Sequence, residues 1–170
     1  LDSLKKSFKL PIQNGEELNN FLELADEKVY GNKHYLFRWK KKIPTEIILD
    51  SLIKNTLIKN KSDLIDLIII DRGPSGRVTK IEMKLRNSNK PIVLVKDDIR
   101  RILSFLPSNL FTINKLNDNL WLFKGGGFGH GVGLSQSGAI EMAELGFSYE
   151  QILDHYYRNA KLKKIEILSQ

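Results

Sequence analysis

Six of the twelve glycines in this chain fall within nine residues, Gly125 to Gly133, and Gly138 follows five positions later. Glycine is entropically costly in ordered backbone. Such density therefore implies positive φ angles or a backbone closely approached by another group. The run leads into Leu134 to Leu145, which reads as a helix ended by Gly146 at its C′ position. A glycine-rich turn feeding a helix start presents unpaired amides, which suit an anionic or carbonyl-bearing ligand. His130, Ser135 and Gln136 stand in or beside that turn. Histidine donates, accepts or carries a proton near neutral pH, and serine and glutamine hydrogen-bond sugars and amides well.

Familiar glycine motifs do not fit. Every register of GxGxxG meets a non-glycine residue. A Walker loop needs lysine after its second glycine, whereas Gly138 is followed by Ala139. The nucleophile elbow GxSxG fails because Ser137 stands where glycine is required after Gly133-Leu134-Ser135-Gln136. Cysteine is absent, which excludes disulfides, thiolate metal sites and cysteine nucleophiles. Three histidines and 20 carboxylates remain, with no HExxH or comparable spacing, so neither a metal nor a cofactor is expected.

Around this segment the pattern is mixed. A short helical stretch lies near Glu16 to Leu24, and His34 to Lys42 reads as a strand. Pro44 and Thr45 open a helix to about Lys59, with Leu49, Leu52, Ile53 and Leu57 near one face and Asp50 positioned to pair with Lys54. Ile65 to Asp71 is nearly all apolar and β-branched and reads as a strand covered on both faces. After the Arg72 to Gly76 turn, Arg77 to Leu85 alternates Ile81, Met83 and Leu85 with Lys80, Glu82 and Lys84, as a half-exposed antiparallel strand does. Further strands are expected at Ile92 to Val95, Phe111 to Asn114, Leu120 to Phe123 and Leu162 to Leu168. Asp97 or Asp98 is placed to cap a helix carrying Ile99, Ile102 and Leu103, and Ser148 with Gln151 forms a capping box. The expected class is α+β (mixed α/β), with short, largely antiparallel strands.

The net charge is +7, with basic clusters such as Arg38 to Lys42. That balance favours an anionic partner, although charge alone argues solubility and nonspecific attraction. No apolar run approaches the ~20 residues of a membrane span. The chain starts with leucine and carries no signal peptide, as expected of a mature or trimmed piece of something longer.

Gly127-Phe-Gly-His-Gly-Val-Gly-Leu-Ser-Gln-Ser-Gly-Ala139, followed by Met142-Ala-Glu-Leu-Gly-Phe-Ser-Tyr149 and Ile152-Leu-Asp-His-Tyr-Tyr157, closely resembles the C-terminal signature of the SpoIID/LytB family. Weaker resemblance runs through Arg38-Trp39, Ser75-Gly-Arg-Val78, Asp98-Ile-Arg-Arg101 and Leu106-Pro-Ser108 with Phe111. The resemblance divides the chain into an N-terminal extension, residues 1–33, and a C-terminal part of the family domain, residues 34–170.

The resemblance implies work on peptidoglycan outside the cytoplasm, in the cell envelope. Sporulation members are lytic transglycosylases that cut glycan strands freed of peptides, and LytB-type members enhance an amidase. In the former, a glutamate protonates the leaving oxygen and the sugar's own 6-hydroxyl acts as nucleophile. The segment that carries this glutamate in the family has no counterpart here, so the catalytic residue is unknown and enzyme status is open. Glu141 and Glu144 read as solvated helix carboxylates.

The implied role is that of a substrate-orienting half. His130 and Gln136 lead the candidate contacts, followed by Ser135 and the backbone of Gly127, Gly129, Gly131 and Gly133. Tyr156 and Tyr157 either wall a groove or pack in the core. Arg77 either meets a muramic acid carboxylate or simply begins a strand. Glycan strands are the expected partner, with a cell-wall amidase as a possible second. A noncatalytic wall-binding module is the competing reading. Nucleic-acid binding rests on charge alone and lacks a helix-turn-helix or RNP motif.

Overall fold

The computed structural model describes Ile12, residues 14–23 and residues 29–163. The chain forms two compact units, one of residues 1–25 and 35–130, the other of residues 26–34 and 131–170. Among the described residues there are five α-helices and two three-stranded antiparallel sheets, an α+β fold.

The first unit contains α1 (Gly15–Glu23), β1 (Arg38–Pro44), α2 (Thr45–Lys54), β2 (Leu64–Arg72), β3 (Val78–Leu85), β4 (Ile92–Val95), α3 (Asp97–Ile102), β5 (Phe111–Asn117) and β6 (Leu120–Gly126). One sheet has the order β1-β6-β5 and the other β2-β3-β4. Alternation along β3 buries Val78, Ile81, Met83 and Leu85, and alternation along β6 buries Trp121 and Phe123. These meet Ile48 and Leu52 of α2 and Ile99 and Ile102 of α3 in one continuous core. Thr45 fastens the start of α2: its hydroxyl donates to Asp118 O at 2.9 Å and accepts from Trp121 Nε1 at 3.0 Å. The buried indole N–H thereby finds the partner it needs.

Several expectations change here. Helix α2 ends at Lys54 rather than near Lys59, because Asn55 folds its amide back onto Ser51 O and Thr56 turns to φ 58°. Leu57 is consequently exposed. Asp50 pairs with Lys61 at 2.9 Å instead of Lys54. Strand β2 is not covered along both faces: Ile65 and Ile70 are 45% and 44% exposed. Neither Asp97 nor Asp98 caps α3, whose N-cap is Lys96 at φ 51°; both acids sit in the first turn, favourable to the helix dipole. Strand β6 runs past Phe123 to Gly126, and β5 runs past Asn114 to Asn117.

The second unit holds α4 (Gln136–Glu144) and α5 (Tyr149–Tyr156). Helix α4 begins two residues later than Leu134 because Ser135 is its N-cap. The capping box of α5 is formed in both directions: Gln151 N donates to Ser148 Oγ at 3.3 Å and Ser148 N to Gln151 Oε1 at 2.8 Å. Leu162 and Lys163 belong to no strand, and residues 164–168 of the strand expected there lie outside the described residues.

Candidate functional site

The glycine segment divides into a buried and an open part. Gly125 and Gly126 complete β6 and are buried. Gly125 pairs with Trp39 on one side and Phe111 on the other, and the two large rings lie 6.4 Å apart, centroid to centroid. A β-carbon at Gly125 would stand 2.3 Å from Trp39 Cζ2 and 2.5 Å from Leu110 O. This glycine is therefore a slot for aromatic side chains. The expected glycine-rich turn therefore starts at Gly127 rather than Gly125, the first two glycines belonging to the strand.

From Gly127 onward the backbone emerges. Gly127, Gly129, Gly131 and Gly133 take φ of 75°, 90°, 74° and 104°, a left-handed residue at every second position. A β-carbon at Gly127 or Gly129 would meet nothing within 4 Å, so there the conformation alone demands glycine. The emerging chain is anchored at its root. Trp39 Nε1 donates to Gly127 O at 3.1 Å, Gly127 N to Phe37 O at 3.1 Å, and Gly129 N to Pro107 O at 2.8 Å. The wholly buried Ser108 hydroxyl donates to Gly126 O at 2.7 Å and accepts from Leu110 N at 3.2 Å.

Arg77 precedes β3 and sends Nε to His130 O at 3.1 Å, tying the loop to the β2–β3 hairpin. Burial lowers the pKa of its guanidinium. In this unit the structure thus brings Arg77 to the backbone of His130, whose residue is exposed. Phe128, between two of the left-handed glycines, is 71% exposed.

A neighbouring loop, Ser104 to Ser108, is also strained. Ser104 and Phe105 are non-glycine residues at φ 57° and 51°, conformations that cost roughly 1–2 kcal/mol each. Lys41 Nζ donates to Ser104 O at 2.5 Å and Arg100 Nε to Leu106 O at 2.8 Å, holding the carbonyls on both sides of Phe105. Burial lowers the pKa of Lys41. Sequence pattern gave no hint of this loop beyond Leu106-Pro-Ser108.

In the second unit the remaining candidates gather at the start of α4. The Ser135 hydroxyl accepts from Gly138 N at 3.3 Å and lies 3.3 Å from Ser137 Oγ, so it is engaged in capping. Gln136 is exposed on the first turn. Tyr157 Oη accepts from Leu134 N at 3.1 Å and would crowd any β-carbon at Gly133, at 2.9 Å. Tyr156 Oη lies 2.1 Å from where a β-carbon of Gly138 would be. Its ring is edge-on to His155, which is edge-on to Tyr30, and burial raises the Tyr156 pKa. Both tyrosines thus pack against the backbone of residues 133–138.

Glu141 departs from the reading as a solvated carboxylate. Its side chain is 22% exposed; Oε2 accepts from Gly31 N at 2.5 Å and Oε1 pairs with Lys33 at 3.4 Å. The Gly31 amide, with Lys33 assisting, lowers its pKa. Glu144 is exposed.

Elsewhere in the first unit a cleft of about 900 Å³ lies between β2 and β5, lined among others by Asn19, Asp66, Asp71 and Asn114, and by none of the candidate residues. Among the described residues no three His, Asp or Glu side chains cluster as metal ligands, and no helix is long and apolar enough to cross a membrane.

The family model described as Domain of unknown function (DUF8618) matches residues 1–133 of the 170. The chain belongs to this family. The match includes both sheets and the open glycines as far as Gly133. Among curated proteins, an uncharacterized protein of Brachyspira hyodysenteriae is 39% identical over 90 residues, covering 52% of this chain and 23% of its own length. The amidase enhancer of Bacillus subtilis is 27% identical over 147 residues, covering 73% of this chain and 21% of its own length. Stage II sporulation protein D of Bacillus amyloliquefaciens is 50% identical over 40 residues, covering 24% of this chain and 12% of its own length. The chain therefore spans less than a quarter of each of these relatives, and its likeness to the last two is distant.

Proposed function

We propose that this chain binds the glycan strands of peptidoglycan in the cell envelope, as the substrate-orienting half of a SpoIID-like lytic transglycosylase. The observation that carries the reading is the run of alternate left-handed glycines from Gly127 to Gly133, with open space over Gly127 and Gly129. Bare backbone of this kind lets a flat sugar ring reach amides and carbonyls without a side chain intervening. His130 in the first unit, and Gln136 with, to a lesser degree, Ser135 in the second, are the side chains that each unit offers to N-acetyl and hydroxyl groups. Arg77 is the candidate partner of a muramic acid carboxylate, and Tyr156, packed against Gly138, is a candidate wall for the sugar. Residues 34–170 act as the C-terminal part of the catalytic domain and residues 1–33 as its extension. Distant likeness to stage II sporulation protein D supports this.

The amidase-enhancer relative, which matches 73% of this chain, favours a second reading: a module that binds the wall and serves an amidase without cleaving glycan. Both readings require glycan binding. The test is co-sedimentation of the chain with purified sacculi at low and moderate salt. Binding at low salt that weakens at moderate salt is expected from the net charge of +7. His130→Ala should reduce the retained fraction while the circular dichroism spectrum stays unchanged. Failure to sediment, or equal binding to DNA at matched salt, sinks the proposal.

A further inference from the structure

Phe105 is 77% exposed, Phe128 is 71% exposed, and their two loops are stitched together. Gly129 N donates to Pro107 O at 2.8 Å, Ser108 forms a parallel bridge with Gly129, and the Ser108 hydroxyl reaches Gly126 O at 2.7 Å. Single exposed aromatics are ordinary and need no explanation. Phe105 is different because its backbone is held where L-residues are disfavoured, φ 51°, immediately after Ser104 at φ 57°. Lys41 and Arg100 grip the carbonyls before and after it. A fold that holds an apolar ring in water on a strained backbone is using interactions elsewhere to present that ring, and such strain clusters at ligand-binding positions.

We infer that Phe105 and Phe128 form an aromatic platform on which the apolar faces of successive sugar rings of the glycan strand stack. This rests on the glycan-binding reading and adds the stacking surface to it. The chemistry is complementary. An aromatic face carries the negative end of the ring quadrupole, and the axial C–H face of a pyranose presents weakly positive hydrogens over a flat apolar area. The surroundings select a thin ligand with apolar faces and polar edges. Both rings are flanked by small or polar residues: Gly127, Gly129 and His130 beside Phe128, Ser104 beside Phe105. Leu106, the apolar neighbour of Phe105, is wholly buried. A protein partner would instead meet a contiguous apolar core with a polar rim.

The test uses the 170-residue chain, N-acetylglucosamine tetramer and peptide-stripped glycan strands, with affinities from titration calorimetry. Phe105→Ala and Phe128→Ala should each weaken binding about ten-fold, as expected for losing the burial of a phenyl ring. Phe105→Trp should retain affinity, and its emission should shift on adding the tetramer, a change distinguishable because Trp39 and Trp121 are buried. Phe105→Gly supplies a readout that a merely structural role would not give: the urea midpoint rises as backbone strain is relieved, while glycan affinity falls. If the wild-type chain binds glycan and the Phe105 variants bind equally well, the platform is wrong and the glycan-binding reading survives. If the wild-type chain binds no glycan, that reading itself fails.

Discussion

The indole of Trp39 lies so close over Gly125 that a β-carbon there would stand 2.3 Å from its Cζ2. Trp39 and Phe111 are the cross-strand neighbours of Gly125 in the β1-β6-β5 sheet, and neither ring can move away without opening the core. Trp39 also holds Gly127 O through its indole N–H, so the same side chain fixes the strand end and the root of the open loop.

Gly125→Ala should therefore cost at least about 3 kcal/mol, the upper end of overpacking penalties, because Leu110 O blocks relaxation from the other direction. The check is a lowered urea midpoint with red-shifted tryptophan emission. A near-wild-type midpoint would mean that the Trp39 ring has room that the structure does not give it.

Gly138 and Tyr156 offer a coupled pair in the second unit. Alanine in place of a helical glycine ordinarily stabilises by ~1 kcal/mol. At Gly138 the sign should reverse, since Tyr156 Oη occupies the space a β-carbon needs. In a Tyr156→Phe background that obstruction is gone, and Gly138→Ala should become less harmful by about 1 kcal/mol. Additive effects across the double-mutant cycle would show that Tyr156 simply swings aside.

Glu141 gives the second unit a pH dependence. Its pKa is lowered in the folded chain, first by the Gly31 amide and then by Lys33, so the folded state favours the carboxylate. The stabilisation is thus fully present above the ordinary glutamate value of about 4.3 and is lost as pH falls through the lower folded value. Hydrogen exchange at the Gly31 amide should accelerate beyond the intrinsic trend across that acid window. Glu141→Gln should remove the pH dependence.

How much of this was legible in the sequence follows the range of the interactions. The alternation in β3 and the Ser148–Gln151 capping box depend on neighbours within a few residues, and both are present as read. The strand Ile92–Val95 is bounded as expected. The both-faces reading of β2 failed because coverage of a face is decided by what the fold packs on it, not by the strand's own composition. Gly125 and Gly126 read as the start of the glycine-rich turn, yet their ladder partners, Arg38 for Gly126 and Trp39 and Phe111 for Gly125, draw them into β6. The Gly31–Glu141 bond spans 110 residues and leaves no local signal. The strained Ser104–Phe105 turn is likewise imposed by Lys41 and Arg100 from outside it.

The 170-residue chain alone should not cleave glycan strands. Departure of a glycosidic oxygen needs a proton, ordinarily supplied by a carboxylic acid whose pKa is raised so that it stays protonated near neutrality. Glu141, the first carboxylate after the glycine segment, is shifted the opposite way by the Gly31 amide and Lys33, and is held as an anion by those contacts. Glu144 is exposed to solvent on the same helix. Lacking general acid catalysis alone costs about 10²–10⁴ in rate. Incubating the chain with peptide-stripped glycan strands and searching by mass spectrometry for 1,6-anhydro-muramic ends should find none above a buffer control. Such ends from purified chain, abolished by Glu141→Gln or Glu144→Gln, would make this chain a transglycosylase in its own right and replace the orienting role with a catalytic one.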